Sequence, residues 1–598
     1  MVETGHQGHD RISHLVNWAH WFTFFNIILV SLISLRYISY AGISSTFLGV
    51  AYQLLSLVGH FSFLAGTLFI IVLFPLAFFI KSQRFYRALA ILISAISVTF
   101  LIIDTQIFRL YDFHLNPLIW RFLQQPEQVE QIYAINLHYI SFPIILIVEF
   151  AISFFAWRKA RKLQATKKGK MIGAFLVSAF VLTHLTYIWA DATQYRPITQ
   201  QKSLYPLSYP MTARTFLKKQ GWLSDDALLD NIANQDTSAQ NNLNYPLETL
   251  SYLDPKTTTE KKNVLFITIG EIRADVLNAD DMPHLYKISQ QGLNFQNHFS
   301  GSHKRELGLF SLFYGIPNRY WSEITLNYIP PVMMTRFNEE NYHFGLFSSI
   351  GMLSPEFSQS SFSELNSLRL RRFSQQESNS KMTSDWLNWE EKQTDSNPWF
   401  SFLYFKPEKK ELLQSSRGLS INARTKRVKE YHQQLTEIDQ QIERIVRDLR
   451  HKDILKNTVV VITGTHGASF EKQSSIESSI YNAHVPLVIL WPNQTPRSIT
   501  RMTSHLDIVP TIMEEVLFTK TEAHKYTSGQ SLFDNSERPY VLSGDRKQFV
   551  IYEKDKITQF SSDGEMKSIQ WDGASINSEQ FDITLLIDVL KQLRQFNK

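Results

Sequence analysis

The 598-residue chain contains no cysteine. That excludes a disulfide framework and any thiolate metal site, but it leaves the compartment open, because exported domains also fold without disulfides. Charge is the next scarcity: up to about Ala190 long apolar runs carry few charged residues, whereas after Asn241 strands, helices and polar turns alternate as in a water-soluble α/β protein. The net charge of +5 is small for this length, and no nucleic-acid-binding module is visible, so nucleic acid is not an expected partner. Met1 to His14 lacks the basic start and small-residue cleavage site of a secretory signal, so the first apolar run is expected to remain as an uncleaved anchor.

What is present begins with five apolar runs: Trp18 to Tyr40, Leu55 to Ile80, Ala88 to Phe108, Ile135 to Trp157 and Met171 to Ala190. Each is close to the roughly 20 residues that cross a bilayer as a helix. Lys81, Arg84 and Arg87 lie between the second and third runs, and Arg158, Lys159, Arg161, Lys162, Lys167, Lys168 and Lys170 between the fourth and fifth. Loops this basic are expected in the cytoplasm, which puts the N-terminus inside and everything after Ala190 outside. The Lys167 to Lys170 cluster either only enforces topology or also docks on anionic lipid or a cytoplasmic partner. Asp104, Glu149 and His184 fall within or beside the spans; three scattered polar groups read as helix-to-helix contacts or interfacial placement rather than a proton path.

Residues 191–260 read as a connector and linker between a membrane domain (1–190) and an outer domain (261–598). Pro197, Pro206 and Pro210 interrupt helix formation there, and Tyr195, Tyr205, Tyr209 and Trp222 recur. Met211 to Gln220 has the pattern of an amphipathic helix, with Met211, Phe216 and Leu217 on one side and Arg214, Lys218 and Lys219 on the other. Thr212 is placed to cap it, leaving backbone N–H groups for a phosphate. The residues alone equally allow a surface helix whose charges are merely solvated.

Beyond the linker, Asn263 to Ile269 (NVLFITI) reads as a central parallel strand running into a loop at Gly270 and Glu271. Phe344 to Ser348, Trp399 to Tyr404, Thr458 to Thr463 and Val485 to Trp491 read likewise, alternating with helices such as Val428 to Lys452. An α/β fold with a largely parallel sheet is expected, its site beyond the carboxyl ends of the strands. Within it, Asn297 to Gly315 (NHFSGSHKRELGLFSLFYG) has the form of a nucleophile loop and helix. A phosphatase or sulfatase needs a Ser or Thr after the turn at Gly301, and this chain has His303, Lys304 and Arg305 instead.

The order and spacing of NVLFITI, GLFSLFYGI, VVVITGTHG, HVPLVILWP and SHLDIVPTI resemble the sulfatase-like branch of the alkaline phosphatase superfamily. Together with NWAHWFTFFNIIL, VGHFSFL, FHLNPLIW, YIWADATQYRPIT and LSYPMTAR, the whole chain resembles the YejM-type (PbgA) inner-membrane proteins of Gram-negative bacteria. Active sulfatase-like enzymes hold a divalent metal that activates the nucleophile and offsets the charge of the transferred group. The resemblance places Gly270 where the family's first acid stands, Lys304 at the nucleophile, Thr465 at the Asp of an Asp-His pair, and Asn482 where a further His is expected. Glu271, His303 and His466 are the only candidates for a rearranged metal site. No cofactor is expected, and Lys304 with Arg305 is expected to leave a basic pocket that binds a phosphate without cleaving it. His505 and Asp507 read as structural, with Asp507 capping the next helix.

The resemblance further implies a sensor of lipopolysaccharide at the periplasmic leaflet that restrains a LapB-type membrane protein, and through it FtsH proteolysis of the deacetylase of lipid A synthesis. Lipid A is then held by Tyr209, Pro210, Met211, Thr212, Ala213 and Arg214, helped by Lys218 and Lys219; Thr215 stands where relatives often have a second Arg. Two other activities fit the same architecture: a metal-dependent phosphatase or phosphotransferase acting on lipid head groups, and a carrier of a lipid such as cardiolipin.

Overall fold

Among the described residues, five helices are long and apolar enough to cross a membrane: Arg11–Ala41, Phe47–Phe79, Gln83–Arg109, Ile140–Arg158 and Gly169–Thr193. They coincide with the five expected runs. The computed structural model describes residues 3–44, 46–111, 114–115, 136–164, 168–193, 195–209, 211–213, 220, 243–253, 261–365, 377–393, 397–407, 421–468, 476–545, 548–561, 565–576 and 583–597. These fall into two units, Met1–Asn242 and Leu243–Lys598.

In the first unit the second helix starts at Phe47, earlier than the apolar run suggests, because the Thr46 side chain caps it by accepting the Gly49 N–H at 3.1 Å. The same helix passes through a π-helical turn, Phe69–Leu73, directly before Pro75. A proline ring and its missing N–H would break a regular α ladder, and the wider turn accommodates them. Gly59 lets the second helix press against the fifth: a Cβ there would lie 2.9 Å from the Ala179 carbonyl oxygen. The first helix packs on its neighbours through Trp18, Phe22, Phe69, Leu73 and Tyr86.

Polar groups in the bundle serve as contacts between helices. Trp18 Nε1 donates to the Ser153 carbonyl at 3.2 Å, and Asn26 Nδ2 to the Glu149 carboxylate at 3.1 Å. Asp104 accepts the Tyr37 hydroxyl at 2.5 Å and faces His114 Nδ1 at 2.7 Å. His184 is the exception, packing edge-on against Phe180 one turn earlier in its own helix. After the fifth helix the chain makes two short helical turns, Arg196–Thr199 and Gln200–Ser203. The amphipathic helix expected from Met211 does not begin there: Met211, Thr212 and Ala213 have no regular secondary structure, and residues 214–219 lie outside the described residues.

The second unit begins before residue 261. Leu243 bridges to Asn597 and Tyr252 to Thr519, while the Tyr245 ring meets Tyr314 and Phe596. Residues 243–253, counted with the connector and linker in the sequence, belong to the α/β unit through a few apolar anchors. Its main sheet runs β3-β4-β1-β5-β6-β2-β7, with β1 Asn263–Ile269, β2 Leu293–Phe299, β3 His343–Ser348, β4 Trp399–Phe405, β5 Thr458–Gly464, β6 Leu487–Leu490 and β7 Arg497–Ser504. Strand β6 is antiparallel to both neighbours, and every other pairing is parallel. Helices cover both faces, one packing with Phe266, Phe313 and Phe402, the other with Ile267, Leu403 and Ile442. Strands β2 and β7 and a second, antiparallel sheet, β8 to β12 between Tyr540 and Ile576, were not anticipated; their apolar residues alternate with polar ones or are few.

Side by side, β2 and β7 bring two fully buried imidazoles together. His298 and His505 lie 5.2 Å apart between ring centres; His505 Nδ1 is 3.1 Å from the Gly308 carbonyl, to which it donates, and His298 Nδ1 is 3.0 Å from the Thr503 hydroxyl. Asp507 does not cap the next helix as expected: its carboxylate reaches back instead, accepting the Ser504 N–H at 2.7 Å to close a capping box, and it pairs with Arg538 at 2.7 Å. Burial pushes His505 down from 6.5 to about 4, and His298 well below its ordinary value. A folded-state pKa below the unfolded one means that the unfolded chain binds more protons between those values, so stability is complete above about pH 6.5 and falls as pH drops towards 4. His505 alone is expected to remove up to about 3 kcal/mol by pH 4; thermal melts of the whole protein at pH 7.5 and 5 should show the α/β unit melting lower in acid.

Candidate functional site

The direction of the strands decides which residues meet. Because β6 alone runs backwards, its N-terminal end shares one rim of the sheet with the C-terminal ends of β1, β2, β5 and β7. Gly270 and Glu271 follow β1, Ser300 to Lys304 follow β2, Thr465 and His466 follow β5, and Asn482 precedes β6. Four positions scattered over some two hundred residues of sequence are thus gathered on one rim.

At the first of them, Gly270, a Cβ would lie 2.5 Å from the Tyr404 hydroxyl oxygen. The space an acidic side chain would need is therefore already taken. Tyr404, next to last in β4, is buried; burial pushes its hydroxyl far above its ordinary pKa, so it stays neutral. Thr465 is buried too: its hydroxyl stands 3.0 Å from His466 Nδ1, and its carbonyl accepts the Ser300 hydroxyl at 2.6 Å.

Lys304 is the N-cap residue of the Arg305–Tyr314 helix. Its ammonium pairs with Asp545, from the turn between β8 (Tyr540–Gly544) and β9 (Gln548–Glu553). Arg305 pairs with the buried carboxylate of Glu356 at 2.6 Å. Burial opposes the charge on Arg305, but Glu356 together with neighbours such as Glu306 offsets this and holds its pKa above the ordinary value. The basic pocket expected from the sequence is corrected here: both cations are matched by carboxylates from distant segments, which leaves no net positive excess for a phosphate.

His303 and Asn482 line a polar cavity of about 10 Å³ with Ser479, Ser543 and Gln548. Burial, and then the adjacent Lys304 charge, lower the pKa of His303. Two residues beyond Asn482 in the sequence is His484, whose Nε2 lies 2.8 Å from the Gln296 carbonyl and whose ring stacks on Phe299. Glu271 adopts φ +58° at the end of β1. Among the described residues no three His, Asp or Glu side chains come close enough to share a metal, so Glu271, His303 and His466 do not converge. The metal implied by the fold family does not fit the residues present: Gly270, Thr465 and Asn482 offer no carboxylate or imidazole, and Tyr404 fills the gap.

In the connector Tyr209 is 87% exposed and Met211 54%; Thr212 is exposed and Ala213 half-buried. Pro210, Arg214, Lys218 and Lys219 lie outside the described residues. Three residues that shape the rim were missed in the sequence: Tyr404, Glu356 and Asp545. Tyr404 had a signal, since it stands at the carboxyl end of a parallel strand, where sites of this architecture form. Glu356 and Asp545 had none, because they act across long sequence separations.

Two family matches divide the chain. Residues 5–252 match a domain of unknown function (DUF3413), and residues 262–516 match Sulfatase. The inner membrane protein YejM of Salmonella typhimurium is 33% identical, with all of both chains covered, and that of Salmonella typhi is 32% identical over all of both. Among solved structures, a protein of the alkaline phosphatase superfamily from Vibrio parahaemolyticus aligns at 11% identity and a TM-score of 0.44, covering 58% of this chain and 91% of that one. With full-length identity of this order, and with a bundle of membrane-length helices joined to a sulfatase-like domain, the chain belongs to the family of YejM inner membrane proteins.

Proposed function

We propose that the protein is a non-catalytic sensor of lipopolysaccharide in the Gram-negative inner membrane, with its N-terminus cytoplasmic and its α/β unit periplasmic. In this reading lipid A meets the connector from Tyr209 to Arg214, with Lys218 and Lys219 adding charge. Its occupancy governs restraint of a LapB-type partner, and so FtsH proteolysis of the deacetylase that commits precursors to lipid A. The observation that carries the non-catalytic part is the Tyr404 hydroxyl standing over Gly270. Deleting ligands would leave an empty site, whereas this rim is filled and its cations are neutralised, which disfavours a phosphatase or phosphotransferase. Support for the lipid-binding part comes from the exposed Tyr209 and Met211 and the basic residues that follow them in the sequence.

Gly270→Asp is expected to lower the stability of the α/β unit by about 1–3 kcal/mol through overpacking against Tyr404. Adding Tyr404→Phe, which removes only the obstructing oxygen, should recover part of that loss in denaturant melts. The parent protein with Mg²⁺ or Mn²⁺ should release no phosphate from aryl phosphates or lipid head groups; release that His466→Ala abolishes would reinstate the enzyme reading.

Arg214→Glu combined with Lys218→Glu places negative charge opposite lipid phosphates. Cells carrying this variant should accumulate the deacetylase and make more lipopolysaccharide, as read by immunoblot and by lipid A quantification. Unchanged deacetylase levels would sink the sensor reading.

A further inference from the structure

The connector holds two Tyr-Pro pairs four residues apart, Tyr205-Pro206 and Tyr209-Pro210, and the first of them is built into the bundle. Tyr205 is 4% exposed. Its ring stacks on His60 at 5.9 Å and meets Tyr37 and Phe61 edge-on at 6.0 and 5.4 Å. The Tyr205 hydroxyl donates to the Gln53 carbonyl at 3.0 Å. His60 Nε2 lies 2.7 Å from the Pro206 carbonyl; a ring nitrogen facing a carbonyl oxygen carries the proton, so His60 donates.

These contacts are made well inside the second membrane helix, since His60 adjoins Gly59, where that helix touches the fifth. The connector thus folds back between helices instead of resting on their ends. Behind the anchor, Tyr37 is fixed in turn by Asp104, which also takes His114 and the backbone N–H of Leu115. Immediately after it the backbone reverses: Leu207 adopts φ +58° and is 83% exposed. Leucine seldom occupies the left-handed region, so this turn persists because the buried residues before it fix where the chain must leave.

We infer that His60 and Tyr205 are positioning residues for lipid binding: they clamp Leu204 to Pro206 in the bundle and so present the exposed Tyr209 and Met211 to a phosphate-bearing lipid. Holding a binding segment in advance removes the ordering cost from association. The inference rests on the connector being the lipid site, and its test separates the two ideas.

The parent has no thiol, so a single Leu204→Cys in the full-length protein reports the anchor without any ligand. Its reaction with a maleimide should be slow, become about tenfold faster or more with His60→Leu, and be slow again with His60→Gln, which can still donate a hydrogen bond. In nanodiscs with lipid A as the probe, His60→Leu should weaken binding about tenfold and Tyr205→Phe about threefold, with His60→Gln close to the parent. If His60→Leu does not fold, Tyr205→Phe supplies both measurements. Labelling rates that ignore these substitutions, or parental lipid A affinity in both His60→Leu and Tyr205→Phe, overturn the inference. A parent that fails to bind lipid A overturns the sensor reading instead, while the labelling rates still decide whether the anchor exists.

Discussion

A polar or charged group taken out of water must find its partner within the chain, because leaving it alone costs several kcal/mol. Both units are arranged around that requirement. In the bundle it joins Asn26 to Glu149, and Tyr37 and His114 to Asp104, so the few polar residues of the spans become the points where helices are pinned. At the rim of the sheet it draws Asp545 to Lys304 and Glu356 to Arg305. Cations that look like an anion site in the sequence are, in three dimensions, halves of closed pairs.

On the proposed non-catalytic reading, the rim separates two ways of losing an activity. Removing a metal ligand leaves the fold and the space intact, and restoring the residue could restore the chemistry. Filling the space changes the starting point. With the Tyr404 hydroxyl over Gly270, the space at that position is held by a residue that belongs to neither motif. Packing in such an interior is dense enough that each partner constrains the others, and a single reversion meets a wall.

How much was legible beforehand follows from how each feature is encoded. The five spans were readable because length and hydropathy are local, and β1, with its unbroken apolar run, because a strand covered on both faces has no polar positions. Strands β2 and β7 escaped because polar residues such as Asn294, Gln296 and Asn297, or Arg497 and Arg501, interrupt the pattern. The second sheet escaped for a similar reason: its strands are short, and on several of them polar and apolar residues alternate. The positions Gly270, Lys304, Thr465 and Asn482 could be named from motif order alone, and the sheet does gather them on one rim. What fills them could not, because Glu356 and Asp545 reach the rim only through the tertiary fold. The connector divides the same way: its composition singled out the tyrosines, yet nothing local distinguishes the buried Tyr205 from the exposed Tyr209.

The π-helical turn at Phe69–Leu73 gives the second membrane helix a property its length conceals. An α-helix advances about 100° per residue, so the one extra residue of a π turn offsets the angular phase of everything beyond it. Residues Phe47–Leu68, which meet the fifth helix and the connector, and residues Phe74–Phe79, which end beside the basic loop, therefore aim their faces independently. Taking one residue out of that turn would swing the far segment by about 100° while leaving the hydropathy of the span almost unchanged. What a hydropathy profile counts as one rod is two short helices on a common axis, joined by a coupling whose gear ratio is set by a single residue.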